Sequence, residues 1–554
     1  MLWKAYRAAV LAVMFVVVLA PALYIVGYTL ANYKEILVDT FSHEVVGRGY
    51  LDLMLRALSL SLRLGLAVVL VDLVLGVPLA YVVARGKLKP SWLVEDVITL
   101  PLVVPTSAFG FAILLTWSSP GGLLQLLGLG RISQQHLVPL FNVPLLLLLT
   151  HVALTLPYVI RPLTAVLRSM GSTYEVISRS LKASPLTTFR RITVPLSIPA
   201  IVSSLVLALT RSLGETGATM IVAGVSMTAS VAIVRLFYDM KLGLASLLAT
   251  MLIAAALMLV LPAEFLSKKL LVTRRYKERR LETRLSRIER KISAVKHLAL
   301  ARDVTLYITL LLVIVAPLLF IFKNLPEYWY ADPYSGKVEG GILYQVFGPT
   351  GYFSSIIRAT LNSIVIAGLS TLAALYISIL IFTAIRNSKL EYPIRALIRV
   401  PLIVPTSALG LSALLLFGEK GLGIATPSIW LTTIVHTSFS VPIIFETLMS
   451  TYETLNIEDF EETARTLGAT AYDALETVTL PLLKRGIVAG SLLAFTHSLG
   501  ETGATIIVMG KDVTVPVLVV HMAEALAVPA ALFTSAYLLL IAVVLLVLTR
   551  KISR

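Results

Sequence analysis

Apolar stretches about as long as the ~30 Å hydrocarbon core of a bilayer recur along this chain, separated by short polar segments. Six fall near residues 8–29, 58–84, 97–117, 138–160, 196–224 and 244–266, and six more near 304–323, 360–385, 400–417, 428–446, 486–509 and 527–549. The pattern predicts an all-α, polytopic membrane protein with about 12 transmembrane helices. The first stretch, Ala8 to Thr29, follows Lys4 and Arg7. It is long for the apolar part of a signal peptide, no small-x-small cleavage site closes it and more spans follow, so it is expected to remain as the first helix.

Whole stretches repeat. PLVVPTSAFG at 101–110 returns as PLIVPTSALG at 401–410, and SLGETGATMIVAG at 212–224 returns as SLGETGATIIVMG at 498–510, with Pro195 and Pro481 in the register of the second match. Two parallel repeats of six helices follow, 1–266 and 304–554, related by a pseudo-two-fold axis along the membrane normal. A substrate path is expected on that axis, where both halves offer like groups.

Composition agrees with a bilayer: 57% of the 554 residues are hydrophobic and 14% charged. The net charge of +16 would suggest nucleic acid in a soluble protein, but the basic residues sit between apolar runs and are not interleaved with aromatic ones. They place the loops instead. Arg85, Lys87 and Lys89 follow the second span, Arg161, Arg168, Arg190 and Arg191 lie between the fourth and fifth, and Arg550, Lys551 and Arg554 close the chain. By the positive-inside rule these segments and both termini are cytoplasmic in a plasma membrane. The absence of cysteine excludes disulfides, thiolate metal sites and cysteine nucleophiles.

Between the repeats, residues 267–303 are strongly basic, with Leu281, Leu285, Ile288 and Ile292 at helical spacing. A cytoplasmic linker helix is expected, as a tether resting on anionic headgroups or as a regulatory site. Residues 324–353, rich in Tyr, Gly and Pro, are expected to pack on the outer face.

The loop between spans ten and eleven reads EETARTLGATAYDALETVTLPL. Its Glu462, Ala464, Gly468, Leu480 and Pro481 form a Glu-x-Ala, Gly, aliphatic-x-Leu-Pro pattern that resembles the EAA loop of binding-protein-dependent ABC import permeases. A Glu-Ala-Arg-Leu run favours a short helix, Gly468 permits a turn and Pro481 starts the next span. The resemblance implies a helix pair seated in a groove of an ATPase subunit, a mechanical role without catalytic groups. The first half has a copy, YEVISRSLKASPLTTFRRITVPL, which keeps Glu175 and Pro195 but places Val176 opposite Glu462 and Lys182 opposite Gly468. A second, chemically unequal dock is expected there.

Span five carries Arg211 and Glu215, and span eleven His497 and Glu501 at the same register. Ionisable groups inside a bilayer face a cavity or each other. Two accounts stand: a structural ion pair on one helical face, and a translocation path or gate in which Gly214, Gly217, Gly500 and Gly503 allow close helix contact. The Arg211 to Thr219 segment resembles the Arg-x-x-Gly-Glu stretch of permeases for molybdate, tungstate, sulfate and phosphate, which implies an inorganic oxyanion. His497 in place of the arginine departs from it. Fusion of two units, with the Pro-x-x-x-Pro opening of spans three and nine, is also similar to ferric-iron and thiamine importers. Asp72, opposite Ala373, and His151 and His436 are read as bonding neighbouring helices.

An ion-coupled secondary transporter also has twelve spans in two repeats, but the loop after span two reads ARGKLKPSW, without the Gly-x-x-x-Asp-Arg signature of that class. No nucleophile elbow, His-Glu-x-x-His or phosphate loop marks an enzyme. The resemblance implies that ATP and Mg bind on two separate ATPase subunits, that an extracytoplasmic binding protein delivers the cargo and that this chain holds no cofactor or metal.

Overall fold

A computed structural model describes residues 2–41, 44–270, 280–349, 351–386 and 388–553. Among them, ten helices are long and apolar enough to span a membrane. In the first half these are Trp3–Ala31, Gly47–Ala84, Leu145–Ser169, Pro185–Gly214 and Leu242–Ala263; in the second, His297–Glu327, Tyr352–Ile385, Ile429–Thr454, Ala471–Gly500 and Val528–Val547. Two further apolar helix pairs are bent in the middle, and with each pair counted as one span the described residues hold twelve in the expected order.

Spans three and nine are sharply bent. Ser91–Val103 meets Thr106–Trp117 at 109°, and Glu391–Ile403 meets Thr406–Phe417 at 103°. Val104 and Val404 are extended, at ψ 128° and 127°. Each precedes a proline, Pro105 or Pro405, whose ring disfavours helical backbone in the residue before it. Spans five and eleven also end early, at Gly214 and Gly500, and the chain restarts as the short helices Gly217–Val222 and Thr505–Val508.

Four π-helical turns share one cause. Phe15–Leu19, Phe189–Thr193, Leu311–Val315 and Leu475–Thr479 each end two residues before a proline, Pro21, Pro195, Pro317 and Pro481. A proline has no N–H for the carbonyl four residues back, and the wider turn absorbs the mismatch.

The halves interlock rather than pack as separate bodies. Span one lies on the second half, where Arg7 Nε donates to the Ala384 carbonyl at 2.8 Å and Ser438 Oγ to that of Val18 at 3.1 Å. Span seven lies on the first half, where Tyr307 donates its hydroxyl to the Lys89 carbonyl at 2.9 Å. One apolar core accordingly joins Phe109 and Leu146 to Ile314, Val519 and Leu532, and another joins Ile25 and Leu248 to Leu409, Phe439 and Ile507. In the 324–353 segment Tyr334 donates to the Pro120 carbonyl at 2.5 Å, and Lys323 just before it donates to that of Gly121 at 3.4 Å.

Candidate gate and coupling loops

Both breaks of each half converge on the pseudo-two-fold axis. A methyl group at Gly217 would lie 2.7 Å from Thr502, and one at Gly503 would lie 2.5 Å from Thr406 Oγ1 and 2.7 Å from Thr216 Oγ1. One at Gly214 would lie 3.3 Å from Pro405 Cα, and one at Gly500 would lie 3.2 Å from Pro105 Cα. The two Gly-Glu-Thr-Gly segments therefore touch across the halves, and each proline bend sits against the other half's helix end. Only glycine permits this approach.

Glu215 is not on the helical face with Arg211, as the spacing alone suggested. It lies just past the helix end in extended backbone, ψ 122°, and Glu501 matches it at ψ 131°. Each carboxylate accepts the backbone N–H three residues on, Ala218 at 3.0 Å and Ala504 at 3.2 Å, so it caps the restarted helix. From there Glu215 still reaches Arg211, at 2.5 Å, and Arg211 also feels the charge of Glu501. In the second half the ring of His497 stands against Phe439 with centroids 4.9 Å apart, and its Nδ1 has no hydrogen-bond partner.

His151 and His436 staple these breaks. His151 bonds Ser212 at 2.8 Å before the break and Thr219 at 3.0 Å after it. His436 does the same with Ser498 at 2.6 Å and Thr505 at 2.9 Å. Interrupted backbone within a membrane needs such partners. Asp72, fully buried, accepts from Thr155 at 2.7 Å. The histidines and Asp72 thus bond neighbouring helices, as read from the sequence.

At the second loop two neighbouring acids have different surroundings. Glu462 is exposed, and the buried carboxylate is Glu461, which pairs with Arg386 and accepts from Thr479 and, at 3.3 Å, from Tyr452. Glu175 is its counterpart: Arg85 Nη2 lies 2.7 Å away, Thr193 donates at 3.1 Å and Tyr81 at 3.2 Å. Arg85 also donates to the carbonyls of Leu167 and Gly171. Both loops are therefore pinned to the end of the second span of their own half. The first copy is not missing its carboxylate; its differences lie on the surface, where Val176 stands for Glu462. Burial by itself would raise the Glu175 carboxyl, but the bonds from Arg85, Thr193 and Tyr81 outweigh it and hold it below the ordinary range. The turn position is left-handed in both loops, at φ 98° for Gly468 and 63° for Lys182. Ala464 is half-buried, and Leu480 and Pro481, like Pro195, lie where the α-helix resumes after the π turn.

The linker makes specific contacts with the first half. Residues 271–279 lie outside the described residues, but Arg280–Ala294 is a helix seated on the first coupling loop. Glu289 accepts from Thr187 at 2.7 Å and pairs with Arg190, and Glu282 lies 2.5 Å from Arg191. The polar side faces the loop, leaving Leu285, Ile288 and Ile292 exposed.

Sequence reasoning missed Arg85, Arg386 and Glu461. The signal was present for one of them, because Glu175 and Glu461, and likewise Thr193 and Thr479, share the register of Pro195 and Pro481.

Twelve spans in two parallel repeats, with broken helices meeting at the centre and paired loops at one end, define a pseudo-dimeric transport permease of the membrane. The chain belongs to the binding-protein-dependent transport system inner membrane component family, whose model matches residues 73–271 and 374–554. It is similar to the molybdenum transport system permease protein ModB of Mycobacterium tuberculosis, 35% identical over 168 residues, which are 30% of this chain and 61% of that protein. The molybdate/tungstate transport system permease protein WtpB of Pyrococcus abyssi is 30% identical over 185 residues, 33% of this chain and 67% of the relative. The sulfate transport system permease protein CysT of Escherichia coli is 38% identical over 125 residues, 21% of this chain and 45% of the relative. The chain thus spans less than two thirds of the length of the molybdenum and sulfate relatives. These relatives are named as transport permeases.

Proposed function

We propose that this chain forms the translocation path of an ATP-driven importer for an inorganic oxyanion and works by alternating access. The observation that carries the reading is that one long helix joins each loop to the gate. Pro185–Gly214 starts at the first coupling loop and ends at the Glu215 break, and Ala471–Gly500 repeats this in the second half. At ~1.5 Å per residue each is a lever of about 45 Å. With Glu175 and Glu461 locked to Arg85 and Arg386, a push on either loop moves two spans together.

In this reading two ATP-binding cassette ATPases, which hold ATP and Mg, seat on the loops, and an extracytoplasmic binding protein delivers cargo to the opposite face. Both termini are cytoplasmic. In support, Arg7 bonds Ala384 close to Arg386 at the coupling side. The relatives' names, molybdenum, molybdate/tungstate and sulfate, favour an oxyanion.

The test is uptake into proteoliposomes holding this chain, its ATPase and its binding protein, with molybdate, tungstate and sulfate offered separately. Accumulation of at least one that requires ATP inside the cytoplasmic compartment is expected. Uptake driven by an ion gradient without ATP would refute the class, and ATP-driven uptake of ferric iron or thiamine alone would refute the substrate.

A further inference from the structure

The two coupling loops close in different ways. The second is self-sufficient: Gly468 occupies the left-handed turn, and Thr470 and Asp473 form a reciprocal capping box, with Asp473 Oδ2 accepting the Thr470 N–H at 3.0 Å and Thr470 Oγ1 that of Asp473 at 3.2 Å. The first has Lys182 in the left-handed position, and Ser184 accepts from the Thr187 N–H at 3.2 Å with no carboxylate at residue 187 to return the bond. It also sets Arg190 beside Arg191, where the second loop has Glu476 and Thr477.

The linker helix touches each of these weak points. Arg290 Nη2 reaches the Lys182 carbonyl at 3.4 Å, Glu289 accepts from Thr187 Oγ1 and pairs with Arg190, and Glu282 pairs with Arg191. Ser293 Oγ lies 3.5 Å from the backbone nitrogen of Leu186.

We propose that the linker helix is a brace for the first ATPase dock, with Glu282, Glu289 and Arg290 as positioning residues that provide from outside the loop what Gly468 and Asp473 provide within the second. The inference rests on the coupling-loop reading. It makes coupling at the first dock depend on the linker and leaves the second dock autonomous.

The chain has no cysteine, so a Leu186→Cys/Ser293→Cys pair reports linker docking by disulfide formation in the assembled complex. Combined Glu282→Ala, Glu289→Ala and Arg290→Ala is expected to reduce cross-linking and to lower ATP-driven uptake about tenfold, on the scale of one lost charge-assisted hydrogen bond. Adding Lys182→Gly and Thr187→Asp to the triple variant is expected to restore uptake while cross-linking stays low. A local structural lesion would not respond to those two changes.

Full uptake in the triple variant despite lost cross-linking would overturn the brace, as would failure of the two loop changes to rescue. Leu467→Asp, at the exposed tip of the second loop next to Gly468, separates the two readings. If it leaves ATPase association intact, the coupling-loop reading falls and the brace falls with it; if it weakens association while the triple variant does not impair uptake, only the brace falls.

Discussion

Glu461 and Arg386 carry opposite charges where water scarcely reaches, their side chains 10% and 15% exposed. Removing one partner leaves the other charge desolvated, which costs about 3–5 kcal/mol. Arg386→Ala or Glu461→Ala should therefore lower the melting temperature of the purified chain clearly, whereas Glu462→Ala, on the exposed side, should change stability by less than about 0.5 kcal/mol. Glu175 adds a pH dependence. Its carboxyl faces Arg85, Thr193 and Tyr81 and is held below its unfolded value of about 4.3. The pair then stabilises fully above that value and is lost as pH falls through the lower folded one. A melting series from pH ~6 down to pH ~3 should show a steeper loss for the native chain than for Glu175→Gln. Glu175 was visible in the sequence as a surviving acid, but its partner was not. Arg85 reads there as one more basic residue at a span end, and only folding shows that it turns back onto the loop.

Breaks decide how the helical elements work. Within continuous apolar runs, hydropathy sees one span through Pro105 or Glu215, because it weighs residue type and not backbone direction. The local signals were a valine before proline and a glutamate between glycines, and they show why the runs stop being straight. The threonines that meet these glycines belong partly to the opposite half, so no local reading could have paired Gly217 with Thr502. Gly503→Ala forces a methyl group against Thr406 and Thr216. Overpacking of this kind costs about 1–3 kcal/mol, so uptake should fall about fivefold to a hundredfold. Gly27→Ala, with open space around it, should leave uptake unchanged and serves as the control. The same measurement on His151→Ala should show loss of activity, since Ser212 and Thr219 then lose the bond that holds the break together.

Across the whole molecule, repeat and packing unit do not coincide. The internal matches divided the chain correctly into six and six spans, because duplicated segments leave a register in the sequence. They could not show that span one crosses to the second half and span seven to the first, since that exchange depends on which apolar faces meet. Neither half can bury its own core: Ile25 rests with Leu409 and Phe439, and Ile314 with Phe109. Produced as two fragments, 1–270 and 280–554, the halves should co-purify from one membrane, and each alone should aggregate or be degraded. Recovery of either fragment as a stable monomer would speak against the exchange.

The central claim is that the two Gly-Glu-Thr-Gly segments form a gate that must part during transport. The most direct measurement is ATP-driven uptake by the assembled complex carrying Thr216→Cys and Thr502→Cys, before and after bridging with a short reducible bis-thiosulfonate. Uptake should stop on bridging and return on reduction, with each single variant unaffected by the reagent. Undiminished uptake with the bridge in place would contradict the account.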